Sequence, residues 1–360
     1  VLLRGIAGRP ICVIEFKRPH TDLSAHRGQL EEYVAEALPD VAVLTDGLEL
    51  RLYRRLGTGL DWEGEQTFAL AELTPDQAHA LYEALRKRVI DWHRLDSVEA
   101  ALRECAERPI RVTSPDREGG RVFLRQFELS PRVAFGHLAR ALYEALPSLL
   151  KRSRFARGAY AFWEKIYARS LSEEEVKQLT RRWEDFVGEG AGKQVVYRFM
   201  FALETAYAVI SRLMLAKAMQ DAGFGVEAVE AFRGKLDALD RRGTLRLQDY
   251  VEAVAAVFEE GKRQAFRSLF DSDIFDWWLD LPELEEVAYE ACEALAEATL
   301  AVFQFDFSGL SGDLLGQLYQ SYFDPETRRA LGEFYTPCLL YTSDAADEGL
   351  GVDLGGRRII

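Results

Sequence analysis

A carboxylate and an ammonium group lie two residues apart in a short apolar stretch near the start of the chain. Residues 11–19 read ICVIEFKRP, with Glu15 and Lys17 inside the stretch. Because the side chains of a β-strand alternate between its two faces, Glu15 and Lys17 should point the same way. Charges in a core-like strand are costly unless they meet other charges, such as a bound divalent metal ion. A solvent-exposed salt bridge at a strand end is the alternative interpretation.

The elements that would position this pair follow directly in the sequence. Residues 24–38 have helical periodicity, and within them Gln29 and Tyr33 are four apart and so share one helix face. Residues 41–53 read as two strands around an Asp-Gly turn, which is a strong hairpin signal. Residues 74–77, TPDQ, have the pattern of a capping box that opens a further helix.

An E-x-K strand, a Q-x-x-x-Y helix and a hairpin in this order resemble the PD-(D/E)XK nucleases, in particular those at the front of restriction enzymes. The resemblance implies that Glu15 binds Mg²⁺, that Lys17 orients or activates the attacking water, and that Gln29 and Tyr33 brace the site. Mg²⁺ suits phosphodiester hydrolysis because it binds carboxylate oxygens, lowers the pKa of water and neutralises phosphate charge. These nucleases also use an upstream Asp, whereas residues 1–10 contain no acid. We therefore expect the chain to be a piece that begins just after that Asp.

The amino-acid composition limits the classes of protein to which the chain can belong. Hydrophobic residues make up 48% of the 360 and charged residues 29%, as in an ordinary soluble protein, and no run of apolar residues is long enough to predict a membrane span. The four cysteines are scattered singly, which disfavours a zinc site or a disulfide framework and favours the cytoplasm. The net charge of −14 is unevenly spread: residues 1–220 carry 33 basic and 31 acidic side chains, and residues 221–350 carry 10 and 27.

Residues 130–304 read almost entirely as helices, and one segment of them combines cations with aromatic residues. Four cations of this segment are predicted to contact the DNA backbone: Lys151, Arg152, Arg154 and Arg157. The alternative is a solvated cationic face above buried aromatic side chains. Residues 188–193 are glycine-rich, but they lack the spacing of a phosphate-binding P-loop and read as an interhelical loop.

The stretch 204–215 is apolar around most of its circumference and is predicted to be the central helix of the helical region. It contains Arg212. Because an unpaired buried guanidinium would be costly, we expect Arg212 to pair with an acid of residues 271–286.

Residues 329–337, RALGEFYTP, resemble the LG-x-F/Y-Y-T-P motif that opens the catalytic domain of adenine-N6 DNA methyltransferases. In that family the motif lies along bound S-adenosylmethionine, which implies that Tyr335, Thr336 and Pro337 contact this cofactor. A turn ended by proline would explain the Thr-Pro step but not the whole motif. Residues 341–360 do not continue the pattern and resemble translated sequencing-adapter DNA, so they are left out of the fold prediction.

These observations predict an α+β chain in four segments. Residues 1–95 form a truncated PD-(D/E)XK-like α/β nuclease domain, 96–308 an all-α connector, 309–340 the start of an adenine DNA methyltransferase domain, and 341–360 a non-native tail. The order resembles bifunctional restriction-modification enzymes, which implies double-stranded DNA as partner, Mg²⁺-dependent cleavage and S-adenosylmethionine-dependent adenine methylation. We expect the piece alone to be inactive in both reactions.

Two other interpretations stay open. One is the nuclease end of a type I restriction motor subunit, for which a helicase P-loop should follow soon after the nuclease, and the sequence shows none. The other is a non-catalytic helical module that binds DNA or docks on a protein.

Overall fold

A mixed β-sheet with helices on its faces precedes a larger helical assembly, so the chain has the predicted α+β composition. The computed structural model describes residues 2–4, 10–37, 39, 41–56, 59–85, 90–131, 133–166, 172–240, 243–264, 267–271 and 274–322. The predicted cofactor contacts Tyr335, Thr336 and Pro337 and the predicted tail 341–360 lie outside these residues.

Within the described residues, six strands form the sheet. They are β1 (Leu2–Arg4), β2 (Pro10–Phe16), β3 (Val41–Thr45), β4 (Glu49–Leu56), β5 (Gly59–Leu60) and β6 (Gln66–Ala69). Strands β2 and β3 are parallel, and the pairs β1–β2, β3–β4, β4–β5 and β4–β6 are antiparallel. The crossover between the parallel strands consists of a 3₁₀ turn, Leu23–His26, and helix α1, Arg27–Ala37.

The two faces of the sheet bury separate apolar clusters. On one face, α1 packs Leu30 and Val34 against Val13, Ala42, Leu44, Tyr53 and Leu60. The opposite face is covered by a 3₁₀ turn, Leu70–Glu72, and helix α2, Pro75–Leu85, and it buries Cys12, Val43, Leu50, Leu52 and Phe68. The backbone N–H of Gln77 donates to Thr74 Oγ1 at 3.2 Å and that of Thr74 to Gln77 Oε1 at 3.1 Å, which confirms the predicted capping box.

The helical assembly comprises the remaining described elements. In chain order they are α3 (Leu95–Glu107), β7 (Ile110–Arg111), α4 (Glu118–Gln126), α5 (Ala134–Arg152), α6 (Arg154–Ile166), α7 (Glu173–Arg182), α8 (Glu184–Val187), α9 (Lys193–Asp221), α10 (Ala228–Leu239), α11 (Asp249–Gln264), α12 (Arg267–Phe270), a 3₁₀ segment (Asp276–Ala288), α13 (Tyr289–Phe303), β8 (Phe305–Asp306) and α14 (Leu314–Tyr322). Strands β7 and β8 pair in parallel, which joins the two ends of this assembly.

Helix α9 is the central helix, as predicted, and packs against α5, α11 and α13. By length and composition it alone among the described helices could cross a membrane, but 72% of its most apolar window is buried inside the protein, as in the core helix of a soluble protein. The guanidinium of Arg212 on α9 donates to Asp276 Oδ1 at 2.5 Å. This contact confirms the predicted pairing with an acid of residues 271–286.

One apolar core runs through the whole helical assembly, from Trp92 to Tyr322. The ring of Tyr322 stacks on Phe135 with centroids 4.0 Å apart, and its hydroxyl donates to the carbonyl of Phe127. The predicted domain boundary at residue 308 therefore falls inside a packed unit, because residues 309–322 share its core.

Candidate functional site

Strand β2 places the predicted catalytic pair at its carboxyl end. Glu15 is the second-to-last residue of the strand, and Lys17 directly follows its last residue, Phe16. The backbone N–H of Lys17 donates to the carbonyl of Thr45 at 2.7 Å, so pairing with β3 continues one residue further. Lys17 Nζ lies 2.7 Å from Glu15 Oε1, and the two side chains are 15% and 18% exposed. The predicted common orientation of the pair agrees with this contact.

Helix α1 supplies the next two side chains of the site. Lys17 Nζ donates to Gln29 Oε1 at 2.6 Å, and Gln29 Nε2 donates to Tyr33 Oη at 2.9 Å. The four predicted residues thus form one hydrogen-bonded series from Glu15 to the half-exposed ring of Tyr33. The sequence spacing indicated the common helix face of Gln29 and Tyr33, and the crossover of α1 over the sheet brings that face to Lys17. The catalytic role of the four stays a prediction.

The loop after β2 is fixed to the turn of the β3–β4 hairpin through one carboxylate. Asp46 Oδ2 accepts a hydrogen bond from the backbone N–H of His20 at 2.8 Å, and Asp46 Oδ1 accepts from the N–H groups of Leu48 and Glu49. The N–H donors of Glu49 and Leu48, which stabilise the ionised form, lower the pKa of Asp46. His20 takes a left-handed conformation with φ of 65°. Asp46 therefore fixes the backbone at His20, three residues after Lys17.

A second group of charges lies on the same face of the sheet and was not predicted from the sequence. Leu44 on β3 is the register partner of both Glu15 on β2 and Arg51 on β4, so Arg51 is two strands away from Glu15 in the same row. Arg51 Nη1 donates to Ser24 Oγ at 2.8 Å, and Arg51 Nε donates to Glu49 Oε1 at 2.5 Å. These contacts connect the hairpin to the turn that begins the crossover.

The same group includes an ion pair between α1 and the segment before β6. Arg27 Nη2 donates to Glu65 Oε2 at 2.5 Å, and the guanidinium lies over the ring of Trp62 at 5.0 Å. Burial would raise the pKa of Glu65, but the nearby Tyr53 hydroxyl and the Arg27 guanidinium outweigh it and lower that pKa. The contact fixes the first turn of α1, which is the turn that carries Gln29.

The magnesium ion implied by the resemblance needs more ligands than these residues offer. Among the described residues no three His, Cys, Asp or Glu side chains group as a metal site. Glu15 is the one carboxylate of the hydrogen-bonded series, and its Oε1 already accepts from Lys17. Asp46 is engaged by three backbone N–H groups. The donor set of these residues therefore does not fit a complete Mg²⁺ site.

The predicted DNA-contacting cations lie where α5 ends and α6 begins, and all four are exposed. Arg152 donates to the carbonyl of Glu283 at 3.0 Å, and Arg157 donates to the carbonyls of Leu150 and Lys151 at 3.2 and 2.9 Å. Part of the hydrogen-bonding capacity of these two arginines is therefore used to terminate α5 and to hold the 3₁₀ segment. Their binding of DNA stays a prediction, as does that of Lys151 and Arg154.

Comparison of the chain with protein families, with curated proteins and with solved structures found no match.

Proposed function

We propose that this chain is part of a restriction-modification enzyme that cleaves double-stranded DNA at the site of Glu15 and Lys17 and methylates adenine at N6. The main support for DNA cleavage is the position of Lys17 Nζ, which lies 2.7 Å from Glu15 Oε1 and 2.6 Å from Gln29 Oε1. A surface salt bridge alone would not require Gln29 and Tyr33 in series behind the lysine. This arrangement supports a positioned cation more than a chance pair on the surface.

The chemistry proposed for Lys17 follows from its donors. An ammonium group has three N–H donors, and two of them are directed at Glu15 and Gln29 in this structure. The third can be donated to a phosphate oxygen or to the attacking water, where positive charge stabilises the anion that develops during hydrolysis. Glu15 holds the lysine in place through the 2.7 Å contact and is the proposed cation ligand of the site.

The methylation half rests on the motif of residues 329–337 alone. We propose that Tyr335, Thr336 and Pro337 contact S-adenosylmethionine, and that the helical assembly connects the two activities in one cytoplasmic protein. The packing of residues 309–322 into the helical core supports a direct connection, because the motif follows closely after Tyr322 in the sequence.

The test is plasmid cleavage by the protein expressed from the complete reading frame, with Mg²⁺ present. Glu15→Gln and Lys17→Ala should each abolish nicking while methyl incorporation into DNA continues. Glu32→Gln and Arg18→Ala are matched controls, because they change an exposed acid of α1 and the exposed cation next to Lys17, and both should cleave normally.

Three outcomes would contradict the proposal. Cleavage that survives Glu15→Gln would refute the site, and loss of cleavage in both controls would show that any charge change in this region suffices. An active nuclease without methyl incorporation would refute the methylation half and leave the nuclease half standing.

A further inference from the structure

Helix α6 presents two phenylalanine rings to solvent. Phe155 and Phe162 are 48% and 51% exposed, although Ala156, Ala159 and Trp163 of the same helix are fully or almost fully buried. Residues seven apart lie on the same side of an α-helix, about 10 Å apart along its axis. The two rings therefore form one exposed stripe along the edge of the face that packs on the core, since buried Ala159 lies four residues after Phe155 and three before Phe162.

Small residues lie beside and between the two rings. Gly158 lies between them on this side of the helix, and a Cβ built there meets nothing within 4 Å. Ala161 is exposed beside it. With small residues at these two positions, neither Gly158 nor Ala161 places a large side chain beside the rings.

The stripe is bordered by positive charge in a protein that is acidic as a whole. Residues 151–166 contain five Lys and Arg side chains and one acid, whereas the whole chain has a net charge of −14. Arg154 and Lys165 are exposed and fall on the same flank of the stripe by helical spacing. The single acid, Glu164, accepts a hydrogen bond from Gln194 at 3.2 Å on a different side of the helix.

We propose that Phe155 and Phe162 form a stacking platform for unpaired bases, and that this face of α6 binds single-stranded DNA with Arg154 and Lys165 on its phosphates. An exposed aromatic ring stacks on the flat face of any base, and nearby cations neutralise the backbone. In a duplex the faces of the bases are stacked on one another and cannot be reached. Cations alone could bind its phosphates, and two exposed phenylalanine rings would add no affinity. The inference goes beyond the proposed cleavage and methylation and does not depend on the site of Glu15.

The experiment is fluorescence anisotropy with a labelled oligothymidylate and a duplex of the same strand length, measured on the full chain in EDTA. Phe155→Ala and Phe162→Ala should each weaken binding of the single strand by about 5- to 150-fold and change duplex binding by less than about twofold. Lys165→Gln should lower the salt dependence of single-strand binding, with a slope smaller by about 0.7.

Phe224→Ala is the matched control, because Phe224 is 62% exposed in the turn after α9 and outside this stripe. It should leave binding unchanged, and circular dichroism should show that all variants are folded. Equal affinity for duplex and single strand in the unmutated chain would overturn the proposal, as would equal effects of Phe162→Ala and Phe224→Ala. Self-association that depends on Phe155 and Phe162, with no effect on DNA, would show instead that this face joins two copies of the chain. Because no cleavage is measured, this proposal can fail while the nuclease site stands.

Discussion

Breaking the buried ion pair of the helical assembly should strongly destabilise the protein. Arg212 on α9 donates to Asp276 Oδ1 at 2.5 Å and to the carbonyl of Asp271 at 3.2 Å, and its guanidinium lies 5.7 Å from the ring centroid of Phe258. Both charged side chains are buried. We propose to replace each by an apolar residue, in Arg212→Met and Asp276→Leu, and to combine the two.

The expected magnitude follows from the burial of the charge that remains. Removing one partner of a buried pair leaves an uncompensated ion and costs about 3–5 kcal/mol, a large part of the roughly 5–15 kcal/mol by which domains are stable. For a unit of this size each kcal/mol lowers the thermal midpoint by about 2–4 °C, so each single variant should melt about 6–20 °C lower. The double variant carries neither Arg212 nor Asp276 as a charge, so its loss should be well below the sum of the single losses.

The assay is urea unfolding followed by circular dichroism for the four proteins of this double-mutant cycle. Arg267→Met is the control, because Arg267 forms an exposed pair with Asp271 at 3.6 Å close to the same segment, and it should change stability by less than about 0.5 kcal/mol. A single variant within about 1 kcal/mol of the unmutated protein would refute the reasoning. A double variant as unstable as the sum of the singles would refute the coupling between the two charges.

Two further predictions concern other features of the helical assembly. A Cβ on Gly136 would lie 1.9 Å from the carbonyl oxygen of Ser130, so Gly136→Ala should cost about 1–3 kcal/mol in urea unfolding. Gly158→Ala, at an open helical position, should instead stabilise by about 0.5–1 kcal/mol, and equal effects of the two would contradict the packing. A hydrogen bond to Glu297 at 2.9 Å raises the pKa of His137 above its usual value. This pair should stabilise the fold fully below the unfolded pKa of about 6.5, and the contribution should be lost as pH rises through the raised folded pKa. His137→Gln should therefore destabilise at about pH 5.5 and have little effect at about pH 9, and a loss independent of pH would show that packing dominates.

The local part of the candidate site followed from sequence spacing. A period of two placed Glu15 and Lys17 on one face of a strand, and a spacing of four placed Gln29 and Tyr33 on one face of a helix. The Asp-Gly step predicted the hairpin turn, in which Gly47 takes a φ of 85°. Each of these signals depends on neighbours within a few residues.

The unpredicted part depends on register and on contacts between distant segments. Arg51 reaches Ser24 because the pairing of β3 with β4 places it opposite Leu44, and no local pattern specifies that register. The sequence also placed a domain boundary at residue 308, yet Tyr322 packs in the helical core. A helix that covers a distant core has the same apolar periodicity as one that starts a new domain, so periodicity cannot distinguish the two.

The early and late segments of the helical assembly contact each other, so its core can be completed only after the last of these segments has been synthesised. Trp92 donates to Glu293, 201 residues later, and Tyr322 donates to Phe127 across 195 residues. At roughly 5–20 residues per second, the early helices emerge about 10–40 s before the segments that complete their core. During that time Phe135 lacks its ring partner Tyr322 and Phe127 lacks Phe305, so both are exposed to aggregation. Nascent-chain binding factors should therefore be needed most for α4 and α5, and folding should be fast only after Tyr322 has left the exit tunnel.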